Sequence, residues 1–237
     1  MTAVLPPPTS TGLLCPRRLT RVEDGGPLHA LLWIPGPGMR MISSAVLGGG
    51  IGERSWVLNA QVSHGYRRTD PDRHLADLAT GAGALGLGVG LMTAADVASY
   101  AHAHDGGAEA IVTSGVDVRG WAAVPEAGRA TGEDGTEDAH APGTINIVVA
   151  LPVPLTDAAL VNAVATATEA KVQALVEAGH DCSGTPTDAV CVAARTPSPG
   201  ETPHAFAGPR SPWGARLARA VHRAVQDATP SPSSPPL

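Results

Sequence analysis

Side chains that can do chemistry are concentrated in one segment of this sequence, between Gly143 and Val192. The single lysine, Lys171, stands in a long run with helical periodicity, and Asn146 and Asp188 stand in two short apolar runs, TINIVVAL and TDAVCVAA. An ammonium group, a carboxamide, a carboxylate and threonine hydroxyls can together move protons and stabilise a developing negative charge. This segment is therefore the first candidate for a polar site.

The long run predicts a helix over 156–178, because Thr156 supplies an N-cap and Gly179 a stop signal. On a helical wheel, Lys171 falls inside the apolar sector of this helix and Glu169 lies just beyond the opposite edge. The sector also contains Leu160, Val161, Val164, Ala165, Thr168, Val172, Leu175 and Val176. An ammonium group directed at a core needs an anion or a polar cleft; otherwise it snorkels at the helix edge.

Polar residues also mark the strand-like runs. Asn146 lies between two isoleucines, Thr187 and Asp188 open the second run, and Asn59 interrupts an earlier apolar run. GTIN and GTPTD both place a Gly-Thr pair at the entry to a strand, which supplies a tight turn, hydroxyls and backbone donors. Such residues either satisfy one another structurally or line a crevice at the strand ends.

Other motifs carry weaker signals. GAGALG (81–86) follows a predicted helix, whereas dinucleotide binding requires a strand before the glycines. His102 and His104 fall in a predicted helix, 94–104, where residues two apart point away from each other and cannot share a metal. GGGIGE (48–53) follows a strand and provides either a close backbone approach to a ligand or a tight hairpin turn.

Composition narrows the class of protein. A chain of 237 residues, 43% of them hydrophobic, fits one globular domain. A net charge of -6 without a basic cluster argues against a nucleic-acid partner, and no apolar run is long enough to predict a membrane span. Three cysteines without CxxC spacing are typical of a reducing compartment, so we expect a cytoplasmic protein.

The pattern of elements predicts an α/β fold: a layered, mixed β-sheet covered by helices in a single domain over 21–228. We expect unstructured tails at 1–20 and 229–237 and an acidic surface loop at 127–142. Strands are predicted at 28–34, 42–47, 55–62, 87–92, 108–115, 144–151 and 187–194. Helices are predicted at 71–80, 94–104, 156–178 and 213–227. The last two strands are apolar on both faces, as expected for a sheet covered on two sides.

The order of these motifs resembles the adenosylcobinamide amidohydrolase family. The likeness rests on SSAVLGGGI, VTSGV, GTINIVVALPVPLTDAALVNAVATATEAKVQAL, SGTPTDAVCVA and FAGPRSPWGARLARAV, and covers about 42–225. Pro186 fills the variable position of GTxTD, and the resemblance leads us to expect an asparagine near Val118. It implies hydrolysis of the amide that links aminopropanol to the corrin ring, which gives adenosylcobyric acid in corrinoid salvage.

For such a reaction we predict that Asp188 activates water and that Glu169 orders neighbouring groups. Lys171 or Asn146, together with a backbone N–H of a glycine turn, is predicted to hold the oxyanion. Thr187 or Thr185 is the alternative, as a direct nucleophile. The predicted substrate-binding positions are Asn146, Thr144, Asn59, Gly49, Gly50, Ser114 and Thr185.

The resemblance implies a corrinoid as the small-molecule partner and no cofactor of the protein's own, since the cobalt belongs to the substrate. We expect no metal site, no nucleic-acid or membrane partner, and leave a homo-oligomer open. A large amphipathic substrate needs a broad cleft, for which Trp56, Tyr66 and Trp121 are candidate walls. Two other interpretations stay open: a non-catalytic corrinoid-binding protein, and a metal-dependent amidohydrolase of another substrate.

Overall fold

The computed structural model of the protein describes residues 12–123, 143–229 and 231. The acidic loop predicted at 127–142 lies outside these residues, as do 1–11 of the predicted N-terminal tail. None of the helices in these ranges combines the length and the apolar composition that a membrane span requires.

Within the described ranges, ten strands form two sheets. A four-stranded sheet has the order β1-β2-β5-β6, and a six-stranded sheet has the order β4-β3-β10-β9-β8-β7. The strands are β1 (Arg17–Glu23), β2 (Gly26–Trp33), β3 (Met39–Ser43), β4 (Gly50–Glu53), β5 (Trp56–Gln61), β6 (Gly88–Thr93), β7 (Ala101–Asp105), β8 (Ala108–Gly115), β9 (Thr144–Leu151) and β10 (Ala189–Arg195). The helices are α1 (Pro71–Gly81), α2 (Asp157–Glu177) and α3 (Pro212–Ala228).

The sheets and helices stack in four layers. Alternating residues of β5 show the pattern: Leu58 packs toward α1 on the outer face of the four-stranded sheet, while Val57 packs into the space between the sheets. On the six-stranded sheet, Val148 faces the other sheet and Ile147 faces α2 and α3. Every residue of β9 is buried, because this strand is covered on both faces. The predicted layered α/β fold is confirmed.

The pairing of the strands is mixed, as predicted. β9 and β10 run parallel, with Asn146 opposite Ala189, and β5 and β6 are also parallel. β3 runs antiparallel to β10, and β8 runs antiparallel to β9. The first residues of β9 and β10 therefore lie at the same end of the sheet, beside the last residues of β3 and β8.

The N-terminal boundary predicted from the sequence is wrong. β1 begins at Arg17 and pairs along its whole length with β2. The preceding segment is also held, because the carboxylate of Glu109 accepts the backbone N–H groups of Leu13 at 2.7 Å and Leu14 at 2.9 Å. Leu14 is almost completely buried. At the other end, Thr229 is buried although it was assigned to the C-terminal tail.

The helix predicted at 94–104 is also wrong. A short 3-10 helix, Val97–Ser99, is followed by β7, which turns into β8 through Gly106 and Gly107. Both glycines have positive φ, as tight two-residue hairpin turns require. In a strand His102 and His104 share one face, contrary to the sequence argument, and His102 lies 3.1 Å from the carboxylate of Glu109.

The buried face of α2 differs from the predicted sector. Its contact face consists largely of alanines, among them Ala163, Ala167 and Ala174, whereas Val161 and Val176 are exposed. Small side chains let α2 approach both α3 and the sheet, so hydrophobicity alone misplaces the face. Lys171 nevertheless lies on the buried side, as predicted.

Two adjacent positions of α2 test this corrected face. Leu160 is fully buried and Val161 is 57% exposed. We expect Leu160→Ala to lower the free energy of unfolding by about 2–5 kcal/mol, because it leaves a cavity in the core. Val161→Ala should change it by less than about 0.5 kcal/mol. Urea denaturation of both variants checks this, and similar losses at the two positions would contradict the assigned face.

Candidate active site

A cavity of about 720 Å³ opens at the end of the six-stranded sheet where β9 and β10 begin. It lies against the ends of both sheets, so loops from several strands contribute to it. The lining residues are 44–46 after β3, 62–64 and Tyr66 after β5, 91–94 at the end of β6, Val118, 143–144 at the start of β9, and 186–189 at the start of β10. Both Gly-Thr motifs singled out in the sequence therefore meet at this cavity.

A buried ion pair lies in the wall of the cavity. The Lys171 ammonium donates to the Asp188 carboxylate, and the two side chains are only 8% and 13% exposed. Asp188 Oδ1 also accepts the backbone N–H of Ile145 at 2.9 Å and the hydroxyl of Thr185, while Oδ2 accepts the N–H of Thr185 at 3.2 Å. A carboxylate offers about four acceptor sites, so these donors occupy its capacity. The placement favours a positioning role for Asp188 over the predicted activation of water.

Lys171 is likewise placed to act through Asp188. It is absent from the cavity lining and its side chain is only 8% exposed, so its ammonium reaches the cavity only by way of the carboxylate. The ion pair joins α2 to the turn that precedes β10 and to the first residues of β9. This arrangement favours alignment of the cavity wall over direct contact with an oxyanion.

Gly184 makes room for the ion pair. Its φ is +153°, and a Cβ at this position would lie 2.2 Å from Asp188 Oδ2 and 2.5 Å from Lys171 Nζ. A side chain would therefore have to displace the charged groups themselves. The glycine of the GTPTD motif is required by this close approach.

Two threonine hydroxyls lie side by side in the cavity wall. The Oγ1 atoms of Thr144 and Thr187 are 2.5 Å apart, and Thr187 Oγ1 donates to the carbonyl oxygen of Gly143 at 3.0 Å. A nucleophilic threonine needs a base within hydrogen-bonding reach, and neither partner is a base. These contacts favour hydrogen bonding to a ligand over direct attack by Thr187.

The two predicted asparagines form a buried amide cluster behind the cavity. Asn59 donates to the hydroxyl of Thr113 at 2.9 Å, and Asn146 donates to Asn59 Oδ1 at 2.9 Å and to the carbonyl of Met92 at 3.0 Å. Met92 lines the cavity, whereas neither asparagine does. The cluster therefore holds the backbone at the end of β6, next to the cavity lining.

Two predicted residues lie elsewhere. Glu169 is exposed and lines a separate hollow between α2 and α3, so it does not approach Lys171 or Asp188. Ser114 faces the helix layer, where its hydroxyl lies 2.8 Å from that of Thr229. The one-residue alternation along β8 sends Thr113 toward the amide cluster and Ser114 away from it.

The glycine cluster after β3 serves the fold. Gly48 has a φ of +71°, and a Cβ there would lie 1.9 Å from the carbonyl oxygen of Gly88 on β6. Gly49 and Gly50, the second of which is the first residue of β4, are exposed and do not line the cavity. Of the two interpretations left open by the sequence, the tight turn is the one that the structure favours.

Tyr66 is the one predicted aromatic wall that reaches the cavity. Trp56 is buried in the core beneath α1, and Trp121 is an exposed residue that donates to Asp181 at 3.0 Å. His64 also lines the cavity and is not among the residues predicted from the sequence. Its signal is the polar run SHGYRR that directly follows β5. Across the described ranges, no three His, Cys, Asp or Glu side chains form a cluster suited to a metal ion.

The close approach at Gly184 yields a test with a matched control. Gly120 lies opposite Gly184 in a β-bridge, and a Cβ there would meet nothing within 4 Å. We expect Gly184→Ala to lower the free energy of unfolding by about 2 kcal/mol or more, because it strains the backbone and disrupts the ion pair. Gly120→Ala should stay within about 0.5 kcal/mol of the wild type. Equal stability of the two variants, measured by thermal and urea unfolding, would contradict the described packing.

Comparison with known proteins places this site in a family. A family model described as adenosylcobinamide amidohydrolase matches residues 16–234, a range that spans both Gly-Thr motifs. An adenosylcobinamide amidohydrolase of Methanosarcina mazei is 29% identical over 191 residues, which cover 77% of this chain and 86% of that protein. One of Halobacterium salinarum is 42% identical over 85 residues, or 36% of this chain and 35% of that protein. The resemblance predicted from the motifs is confirmed: this chain belongs to the adenosylcobinamide amidohydrolase family and is a hydrolase that acts on an amide.

Proposed function

We propose that the protein hydrolyses the amide between aminopropanol and the corrin ring of adenosylcobinamide, giving adenosylcobyric acid for corrinoid salvage. The observation that carries the proposal is the meeting of GTIN and GTPTD at one cavity. Thr144 of the first motif and Thr187 and Asp188 of the second line the same wall. The names of the two relatives supply the substrate.

The composition of the cavity suits part of a large amphipathic ligand. Its lining combines apolar side chains, such as Leu91 and Met92, with the hydroxyls of Thr144 and Thr187. Binding sites for such ligands typically have apolar walls and a few polar anchors. The amide arm of the substrate enters the cavity, and the corrin ring lies across the mouth, beside the exposed Val46 and Pro186.

In the cavity wall, some residues position the backbone and others bind the substrate. The Lys171–Asp188 pair sets the turn 184–188, and this turn presents the Thr187 hydroxyl beside that of Thr144. These hydroxyls hydrogen-bond the amide group of the substrate. Water then adds to the carbonyl carbon, the C–N bond breaks, and the amine leaves with an added proton. Since the Asp188 carboxylate already accepts four hydrogen bonds, we assign the transfer of that proton to another group of the cavity.

The compartment proposed for this reaction is the cytoplasm. Cys182 and Cys191 are buried thiols that form no disulfide. Burial raises the pKa of the Cys191 thiol to about 12, so it stays protonated and unreactive between the sheets. Buried thiols that stay reduced are typical of proteins in a reducing compartment.

One assay separates the proposed reaction from its alternatives. Purified protein is incubated with adenosylcobinamide, with and without EDTA, and mass spectrometry follows the release of aminopropanol and the appearance of adenosylcobyric acid. We expect both products at equal rates with and without the chelator, and neither product with heat-denatured protein.

The other outcomes each overturn the proposal in a recognisable way. Binding of adenosylcobinamide without product identifies a non-catalytic corrinoid-binding protein. Activity that EDTA abolishes and added divalent metal restores identifies a metal-dependent enzyme. If the protein neither binds nor converts adenosylcobinamide, a corrinoid is not its substrate.

A further inference from the structure

We propose that Tyr66, His74 and Glu23 form a proton relay at the cavity, in which the Tyr66 hydroxyl exchanges protons with the substrate and His74 and Glu23 position it. This inference rests on the proposed amide hydrolysis. It names a group that transfers the proton, a role that we do not assign to the fully hydrogen-bonded Asp188 carboxylate.

The three side chains form a continuous chain of contacts. Tyr66 lines the cavity, and its hydroxyl oxygen lies 3.1 Å from His74 Nδ1. His74 Nε2 lies 3.2 Å from Glu23 Oε1. His74 is 4% exposed and takes no part in the cavity lining, so the cavity reaches the imidazole only through the tyrosine.

The carboxylate of Glu23 favours one tautomer of His74. Glu23 meets His74 Nε2 as an ion-pair contact of 3.2 Å, and its negative charge favours the tautomer of His74 that carries the proton on Nε2. In the neutral imidazole Nδ1 is then an acceptor, and the Tyr66 hydroxyl donates to it. The lone pairs of the phenolic oxygen are left for a donor in the cavity. A hydroxyl, an imidazole and a carboxylate in this order form the arrangement that activates hydroxyl groups in hydrolases.

Separate elements hold the relay rigid. Glu23 ends β1 and is held by Arg21, whose Nε lies 2.7 Å from Glu23 Oε2. His74 stands in the first turns of α1, and its ring stacks on Tyr66 with centroids 5.7 Å apart and planes 11° apart. Packing that fixes both rings keeps the hydroxyl at one position beside His74.

The state of the Tyr66 hydroxyl fits proton exchange. Burial raises its pKa, with Asp70 and Glu23 acting in the same direction and Arg68 opposing them. The hydroxyl therefore keeps its proton at neutral pH and acts as a phenol, not as a phenolate nucleophile.

The relay completes a balanced hydrolysis. As water attacks the carbonyl carbon, Tyr66 accepts a water proton and passes its own to His74 Nδ1, and the imidazolium faces the Glu23 carboxylate. The tetrahedral intermediate then collapses. The C–N bond breaks as the amine nitrogen takes a proton from Tyr66, which recovers one from His74. One water and one amide give one acid and one amine, and the relay returns to its starting state.

The test uses Tyr66→Phe with the other tyrosine of the chain as its control. Tyr100 packs beside the apolar cluster between the sheets and does not line the cavity. For Tyr66→Phe we expect kcat on adenosylcobinamide to fall about 100-fold with KM changed less than about threefold, since general acid–base catalysis contributes about 10²–10⁴-fold. Tyr100→Phe should keep kcat within about twofold. Thermal unfolding and corrinoid absorbance confirm that both variants fold and bind.

A second substrate separates proton transfer from a structural role. The p-nitroanilide of adenosylcobyric acid releases an amine that needs little protonation. We expect the kcat defect of Tyr66→Phe to shrink at least fivefold on this substrate. Glu23→Gln should show a smaller defect with the same dependence on the leaving group, because it acts through His74.

Three results would overturn the relay while leaving the proposed reaction in place. The first is a kcat of Tyr66→Phe within threefold of the wild type, and the second is an equal kcat defect of Tyr66→Phe on both substrates. The third is a His64→Gln variant that loses turnover while the Tyr66→Phe variant stays active. The last would assign proton transfer to His64, which lines the same cavity. If the wild type itself releases no aminopropanol, the proposed function fails instead.

Discussion

The buried ion pair between Lys171 and Asp188 joins the helix layer to the edge of the six-stranded sheet. Charges this little exposed are costly to desolvate, and removing one partner of such a pair typically costs about 3–5 kcal/mol. The cost is offset here because the backbone and hydroxyl of Thr185 and the backbone of Ile145 complete the shell of the carboxylate. The same contacts align the entries of β9 and β10, so the geometry of the cavity wall depends on this one pair.

The elements with strong local signals were predictable from the sequence. β8 and β9 were predicted with their observed bounds, and α1 and α2 to within two residues, because apolar runs and capping residues mark them. β1 and β7 were missed since edge strands such as RRLTRVE and AHAHD are polar on their exposed side. The buried face of α2 was misplaced for a different reason. Alanine is favoured where helices pack closely, and a helical wheel based on hydrophobicity gives alanine little weight.

The site shows the same division between local and long-range information. The inward direction of Lys171 follows from helical periodicity, and its pairing with Asp188 places two predicted residues together. The chain Glu23, His74 and Tyr66 has no such signal, because it joins the end of β1, the start of α1 and the loop after β5. Nothing in the spacing of these residues predicts that β1 runs beside α1. Conversely, Ser114 looked like a site residue from its motif, but strand alternation turns it toward α3.

We propose that the cavity beside the ion pair holds the corrinoid, and the cobalt of the corrinoid makes its position directly measurable. Crystals of the protein with bound adenosylcobyric acid would be measured at the cobalt absorption edge, and an anomalous difference map would locate the metal. We expect a single strong peak at the mouth of the cavity lined by Tyr66, Thr144 and Thr187. A cobalt peak at another surface, with this cavity free of corrinoid density, would contradict the assignment.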